Sequence, residues 1–354
     1  MSEDSPPPDS SLPPTVAVDA MGGDHAPEEV VAGAISATSH GVPIVLTGRP
    51  SQLRPLLSTH PRGSEIRVMP AEDSLGMDEG ALASWRRPRS SVAVACQLVR
   101  RGQAAAVVSA GSTAGIVVTA RLRLRLLPGL LRPGLAVALP TGPTPTLLVD
   151  AGAIADPKPE MLFQFAQLGV AYAQVAYGVD DPRVGLLTIG AEPMKGNKLA
   201  QKAHELLAAP QHGGLPIRFT GNIEGSDLLV GKVDVVVTDG FTGNVALKTI
   251  EGAGRFATQQ IRAAFDGSRT ARFGALFQRR MLHDLAGRMD AETYGGAALL
   301  GLEGTVVIAH GSSTAKGIAS ACQLAADLAR GHITERIQER LGSGHRGSHF
   351  LRRQ

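Results

Sequence analysis

Residues 15–27 read TVAVDAMGGDHAP. The run VAVD is short and apolar with no polar alternation, as a strand buried on both faces should be. It ends in a Gly22-Gly23 turn, and a helical pattern follows. The same order of strand, glycine turn and helix recurs down the chain. Strands are expected at 16–19, 44–47, 66–69, 105–109, 135–139, 147–150, 184–189, 217–219, 233–239 and 305–309, and helices at 91–101, 159–177, 198–208 and 316–330 among others. Strands alternating with helices over short loops imply a three-layer α/β/α architecture around a largely parallel sheet.

Composition agrees. Glycine numbers 42 of 354 residues, above the usual level of roughly 7%. The hydrophobic fraction of 43% is ample for a core, while only 4% is aromatic. Collagen, coiled coil, disorder and a disulfide scaffold are excluded. Lys plus Arg is 35 against 32 Asp plus Glu, a net charge of +3, so no bulk field draws the chain to nucleic acid. Two cysteines, Cys96 and Cys322, build neither a disulfide framework nor a four-thiolate metal site, and each falls in an expected helix as a buried structural residue. The first residues, MSEDSPPPDSSLPP, lack the basic and apolar regions of a signal peptide, which predicts a cytoplasmic location. Uncharged stretches at 102–120 and 161–179 read as buried elements rather than membrane spans. The expected organisation is a disordered tail at 1–14, one α/β domain at 15–341 with a basic amphipathic segment at about 252–290, and a disordered basic tail at 342–354.

The glycines gather just after the strands, in DAMGGDHAP, SAGSTAG, DAGAIADPKPE, IGAEPMKGN, DGFTGNVALK and AHGSS. Ligands of open α/β sheets bind outside the carboxyl ends of strands, where such loops lie. Gly, Ser, Thr and Asn let backbone N–H groups approach and donate, and a helix N-terminus adds partial positive charge. SAGSTAG (Gly111, Ser112, Thr113) and the GSS after His310 each open a helix, and Lys195 precedes the helix that Asn197 caps. These are fittings for an anion, phosphate above all. No loop is a Walker A motif, and Gly252-Ala253-Gly254 has no strand before it. The carboxylates Asp19, Asp24 and Asp239 read as loop organisers, and no metal or cofactor is expected.

The ordered set VDAMGGDHAP, SAGSTAG, KPE, LLTIGAEPMKGN, GNIEG, DGFTGNVALKTIEG and YGGAALLGLEGTVVIAHGSS resembles the PlsX family of phosphate acyltransferases. The resemblance runs from about residue 16 to about 330. It implies a fold similar to isocitrate and isopropylmalate dehydrogenases and a homodimer. It also implies synthesis of acyl phosphate from acyl-[acyl-carrier-protein] and inorganic phosphate for phospholipid synthesis. The acyl phosphate would pass to a membrane glycerol-3-phosphate acyltransferase, with the protein held at the inner membrane face. The chain departs from the family pattern at Ser112, Ala151, Ile154, Thr188 and Ala191, which removes amide or carboxylate groups from the expected cleft.

Phosphate is itself the nucleophile in such a reaction, so direct transfer needs no acyl-enzyme. Lys195, Asn244 and Lys248 are the candidates to position phosphate or stabilise the oxyanion. His25 and His310 are the candidates to protonate the leaving thiolate. The substrate-binding set is completed by Gly22, Gly23, Asp24, Gly111, Ser112, Thr113, Gly196, Asn197, Gly243, Ser312 and Ser313. Bland roles stand beside several of these: His25 as a turn residue and Lys248 as part of a solvated helix face. Residues 255–288 hold seven arginines against Asp266 and Asp284, interleaved with Phe256, Phe265, Phe273, Phe277, Met281 and Leu285. Such a stretch suits an anionic membrane surface or the acidic carrier protein. The rival readings are a non-catalytic membrane-associated scaffold and a metal- and nicotinamide-dependent 2-hydroxy-acid dehydrogenase on a similar fold.

Overall fold

The computed structural model describes residues 13–342 except 78, 80, 143, 210–214 and 267–293. Eleven strands form one sheet: β1 (Val16–Asp19), β2 (Ile44–Gly48), β3 (Arg67–Pro70), β4 (Ala106–Ser109), β5 (Gly134–Leu139), β6 (Thr146–Val149), β7 (Arg183–Leu187), β8 (Arg218–Ile223), β9 (Val235–Val237), β10 (Ala297–Leu300) and β11 (Thr305–Ile308). Their spatial order is β3-β2-β1-β4-β11-β10-β5-β6-β9-β7-β8.

The apolar runs behave as expected for strands covered on both sides. In β1, Val16 and Val18 enter one hydrophobic cluster and Ala17 the other; in β6, Leu147 and Val149 enter the first and Leu148 the second. One face carries α1 (Glu28–Ser39), α2 (Pro50–Ser58), α6 (Pro159–Tyr177), α7 (Lys198–Ala208), α9 (Ala315–Arg330) and α10 (Ile333–Gly342). The other carries α4 (Ser91–Arg100), α5 (Thr113–Leu124) and the start of α8 (Gly240–Asp266), with α3 (Ala81–Arg86) packed on α5. Proline at the first position of α6 and Gly178 after its end, at φ 65°, bound that helix.

Most expected strands are present with small shifts. The 147–150 strand lies one residue earlier, because Asp150 leaves the ladder and turns its carboxylate onto backbone amides. The 233–239 strand is confined to Val235–Val237. The strand β10 was not expected: AALL has no β-branched residue to separate it from a helix.

β10 also sets the geometry of the whole sheet. The pairs β11/β10, β10/β5 and β5/β6 are antiparallel, and the other seven are parallel. Val137 pairs with both Ala297 and Leu148, and Ala297 pairs with Ile308, so these four residues form one row. From that row β11 leaves toward one end of the sheet and β6 toward the other. The parallel block β3-β2-β1-β4-β11 therefore opens its carboxyl ends on one end, and the block β6-β9-β7-β8 opens them on the opposite end. The six glycine loops divide three and three.

No described helix is long and apolar enough to cross a membrane. Of the expected basic amphipathic segment, Arg255 and Phe256 lie exposed on α8, while residues 267–290 lie outside the described residues. The Gly252-Ala253-Gly254 run sits inside α8. The expected tails also lie almost wholly outside the described residues.

Candidate active site

The loops after β1, β4 and β11 meet at one end of the sheet. Gly23, at φ 116°, lies against Ala110 and the Gly311 carbonyl, and the Asp24 amide donates to that carbonyl at 2.8 Å. A Cβ on Gly22 would stand 2.7 Å from Asp19 Oδ2 and 2.9 Å from the Gly111 nitrogen, so only glycine fits this crossing. Here the structure gathers His25, Asp24, Gly111, Ser112, Thr113, His310, Ser312 and Ser313.

His310 has a defined proton. The Ser312 amide donates to His310 Nδ1 at 3.3 Å, and the Ser312 hydroxyl lies 2.9 Å from the same nitrogen. An amide only donates, so Nδ1 is the acceptor and the neutral ring carries its proton on Nε2. The imidazole is exposed at the loop surface. His25 is exposed as well. Its carbonyl accepts from Glu29 in the first turn of α1.

The helix N-termini after SAGSTAG and AHGSS differ. Ser112 precedes α5 without a side-chain cap, leaving the first-turn amides of Thr113 and Ala114 directed at the loop space. The start of α9 is already taken: Glu29 Oε2 accepts from the Ala315 amide at 2.5 Å. The first amide of α9 is thus engaged by the chain's own carboxylate. Of these two starts, that of α5 after SAGSTAG is the one with no carboxylate bonded to its first amide.

The remaining candidates lie at the opposite end. Asp150 is fully buried and accepts from the amides of Leu135, Gly152, Ala153 and Ile154, at 2.7–3.1 Å. A Cβ on Gly240 would meet Asp150 Oδ2, and one on Gly243 would overlap the Asp150 carbonyl. Two loops thereby fold around one carboxylate. Asp239 caps α8, bonding the Thr242 amide and hydroxyl at 2.8 Å each. Asn244 is exposed one turn into α8, packed beside Gly152. Asn197 caps α7 through the Ala200 amide at 2.9 Å. Lys195 stands exposed before that cap, its stem across Gly190. Lys248 pairs with Glu251 at 2.8 Å on α8, the solvated-face arrangement, so its charge is already engaged.

Two residues not among the sequence candidates, Asn222 of the GNIEG run and His204, hold the Lys195 loop. Asn222 Nδ2 donates to the Glu192 carbonyl at 2.7 Å, and Asn222 Oδ1 lies 2.8 Å from His204 Nδ1. Thr188, one of the departures from the family pattern, donates its hydroxyl to the Gly190 carbonyl at 2.6 Å and so serves as a turn former. Burial pushes the carboxyls of Asp19 and Asp150 above their ordinary range, against the lowering effect of the hydrogen bonds each accepts. The thiols of Cys96 and Cys322 are buried and pushed up to about 12, so neither is a nucleophile at neutral pH. Among the described residues no cluster of His, Cys, Asp or Glu is arranged to hold a metal.

A single mixed sheet with an antiparallel junction between two parallel blocks defines a class of α/β enzyme fold that includes phosphotransacylases. The phosphotransacetylase of Streptococcus pyogenes superposes with a TM-score of 0.58 at 16% identity, over 90% of this chain and 95% of that one. The 4-hydroxythreonine-4-phosphate dehydrogenase of Klebsiella pneumoniae superposes at 0.53 and 15% identity, over 89% and 99%. Sequence comparison is more specific. The model of a family described as "Fatty acid synthesis protein" matches residues 15–336. The phosphate acyltransferase of Thermobifida fusca is 61% identical over 97% of this chain and 95% of its own length. That of Thermus thermophilus is 44% identical over 93% and 99%. The chain belongs to this family, the PlsX family of phosphate acyltransferases, and is an acyltransferase enzyme.

Proposed function

We propose that the enzyme transfers the acyl group of acyl-[acyl-carrier-protein] to inorganic phosphate, releasing acyl phosphate and free carrier protein for phospholipid synthesis. A phosphate oxygen of HPO4 2– attacks the thioester carbonyl, forming the C–O bond and a tetrahedral oxyanion. Collapse breaks the C–S bond. The Nε2–H of His310 donates a hydrogen bond to the departing thiolate, which takes up the proton released by the attacking phosphate, so no proton is gained or lost overall. The uncapped first turn of α5, beside Ser112 and Thr113, holds the phosphate. The observation that carries this reading is the Ser312 amide bond to His310 Nδ1, which leaves Nε2–H as the donor beside the SAGSTAG turn.

Lys195 and Asn244 contribute oxyanion or phosphate contacts in this reading. They sit at the opposite end of their own sheet, which favours a homodimer in which one chain's DGFTGN and MKGN loops face its partner's DAMGGDHAP, SAGSTAG and AHGSS loops. The product, an activated acyl group, serves a membrane glycerol-3-phosphate acyltransferase. The enzyme works in the cytoplasm, peripherally at the inner membrane face, with residues 255–288 as its basic contact. Incubation with palmitoyl carrier protein and phosphate, with acyl phosphate trapped by hydroxylamine, tests the reaction. Hydroxamate is expected from wild type and lost in His310→Ala; none from wild type would overturn the reading and leave the scaffold role.

A further inference from the structure

Between residue 81 and residue 149 the chain has nine arginines, no lysine, and not one aspartate or glutamate. The whole chain carries +3, so the remaining residues sum to –6. That asymmetry is gathered on one face of the sheet. Ser84 Oγ donates to the Gly115 carbonyl at 3.0 Å, fastening α3 along the first turn of α5. Arg123 then reaches from α5 to the Pro88 carbonyl at 2.7 Å, holding the 86–89 loop beside the helix's later turns. Arg86, Arg121 and Arg125 are exposed, and none has a carboxylate partner among the described residues. Arg87 and Arg89 are paired, with Glu79 and Glu72. Trp85, the chain's one tryptophan, stands 67% exposed among them.

We infer that this α3–α5 surface is the docking face for an acidic protein donor, and, resting on the reading above, that the donor is the carrier protein. Free guanidinium forks match carboxylate geometry in pairs, where lysine presents a single point charge. Tryptophan and arginine are the residues that anchor protein interfaces. A lipid surface would ask for a continuous apolar stripe beside the charges. Among the described side chains of α3 and α5 the exposed large apolar ones are Trp85 and Leu122, each set among arginines. The placement also suits delivery. α5 begins at Thr113, in the turn assigned to phosphate, and a helix of 12 residues spans about 18 Å. A protein seated on its outer face sits beside the site without covering it.

The test compares wild type with the R86E/R121E chain, the charge-keeping R86K/R121K chain, and R54E on α2 of the opposite face. Two donors are used, palmitoyl carrier protein and the small thioester palmitoyl-N-acetylcysteamine, together with direct titration of carrier protein. The expected result is a rise of about tenfold in the carrier protein's KM and Kd for R86E/R121E, since reversing two interfacial charges costs on the order of 1.4 kcal/mol. The kcat, the KM for phosphate and turnover of the small thioester should not change. R86K/R121K and R54E should match wild type. Equal binding of carrier protein by wild type and R86E/R121E overturns the inference. So does an unchanged carrier KM with lost sedimentation on vesicles rich in phosphatidylglycerol, which would make the face a membrane contact. Failure of the reaction itself shows separately, as a wild type inert with both donors, and the titration still decides the docking.

Discussion

Ser109 Oγ donates a 2.7 Å hydrogen bond to Asp19 Oδ2, joining residues 90 apart where β1 and β4 end side by side. Both groups are buried. Asp19 Oδ1 accepts from the Met21 amide, and Ser109 Oγ accepts from the Gly111 amide. One carboxylate thereby sets the opening of two glycine loops, the DAMGGD turn and the SAGSTAG turn. Asp19 touches no reacting atom in the proposed reaction; it is a positioning residue.

Asp19→Asn should keep the fold and raise the KM for phosphate, because the amide NH2 sets a donor against the Ser109 hydroxyl and the Gly111 amide loses its fixed acceptor. It should also alter stability with pH. Burial raises the carboxyl above its ordinary 3.8, so the folded state binds more protons than the unfolded one just above that value. Stability from this group is present below pH 3.8 and is lost as pH rises through the folded value. Denaturant titrations at several pH values should show the Asp19→Asn chain gaining on wild type as pH rises. A difference that is flat with pH contradicts the assignment.

The apolar strands could be read directly, since a strand buried on both faces leaves a valine-rich run such as VAVD or AVVS. So could the caps, as with Asn197 before α7. Strand order could not. It depends on β10 entering the sheet antiparallel beside β5, a contact between residues far apart that no local pattern encodes. For that reason the loops looked like one site and lie at two ends. Asn222 stands within the quoted GNIEG run, but nothing local shows that its side chain braces a loop of the neighbouring strand, and its partner His204 on α7 belongs to no motif. Glu29 escaped notice for a related reason: it occupies the start of α9 across 286 residues of sequence.

Gly22→Ala should be more damaging than most glycine substitutions. Its Cβ would press on Asp19 Oδ2 and the Gly111 amide, both fixed in the buried network. Overpacking of this kind costs about 1–3 kcal/mol. Gly41→Ala serves as the control, with φ 86° but nothing within 4 Å of the added methyl. Thermal unfolding should show both destabilised, while only Gly22→Ala also loses phosphate affinity. Equal kinetics in the two variants would mean that the crossing does not shape the site.

The cysteines should prove dispensable for turnover. With thiols buried and pushed up to about 12, Cys96 and Cys322 carry almost no thiolate at neutral pH. Cys96→Ala and Cys322→Ala should form acyl phosphate at the wild-type rate, with a stability loss of about 1 kcal/mol each from the removed sulfur. A thiol-specific disulfide reagent should label the folded chain only as fast as it opens. Loss of turnover in a folded variant, or a trapped acyl thioester on either residue, would replace direct transfer with a covalent route.

The division of the loops makes the dimer reading testable by mixing. His310→Ala damages the end built by β1, β4 and β11, and Asn244→Ala damages the end built by β6, β9 and β7. If each active site combines one end from each chain, both homodimers are inactive. A heterodimer of the two variants then holds one site with both defects and one with none. Random pairing makes half the dimers mixed, so co-refolded protein should recover about a quarter of wild-type activity. Sites contained within one chain would give no recovery, since each chain keeps its own defect. Co-refolded samples assayed for hydroxamate, with each variant refolded alone as the baseline, separate the two arrangements, and an active Asn244→Ala homodimer would remove that residue from the site.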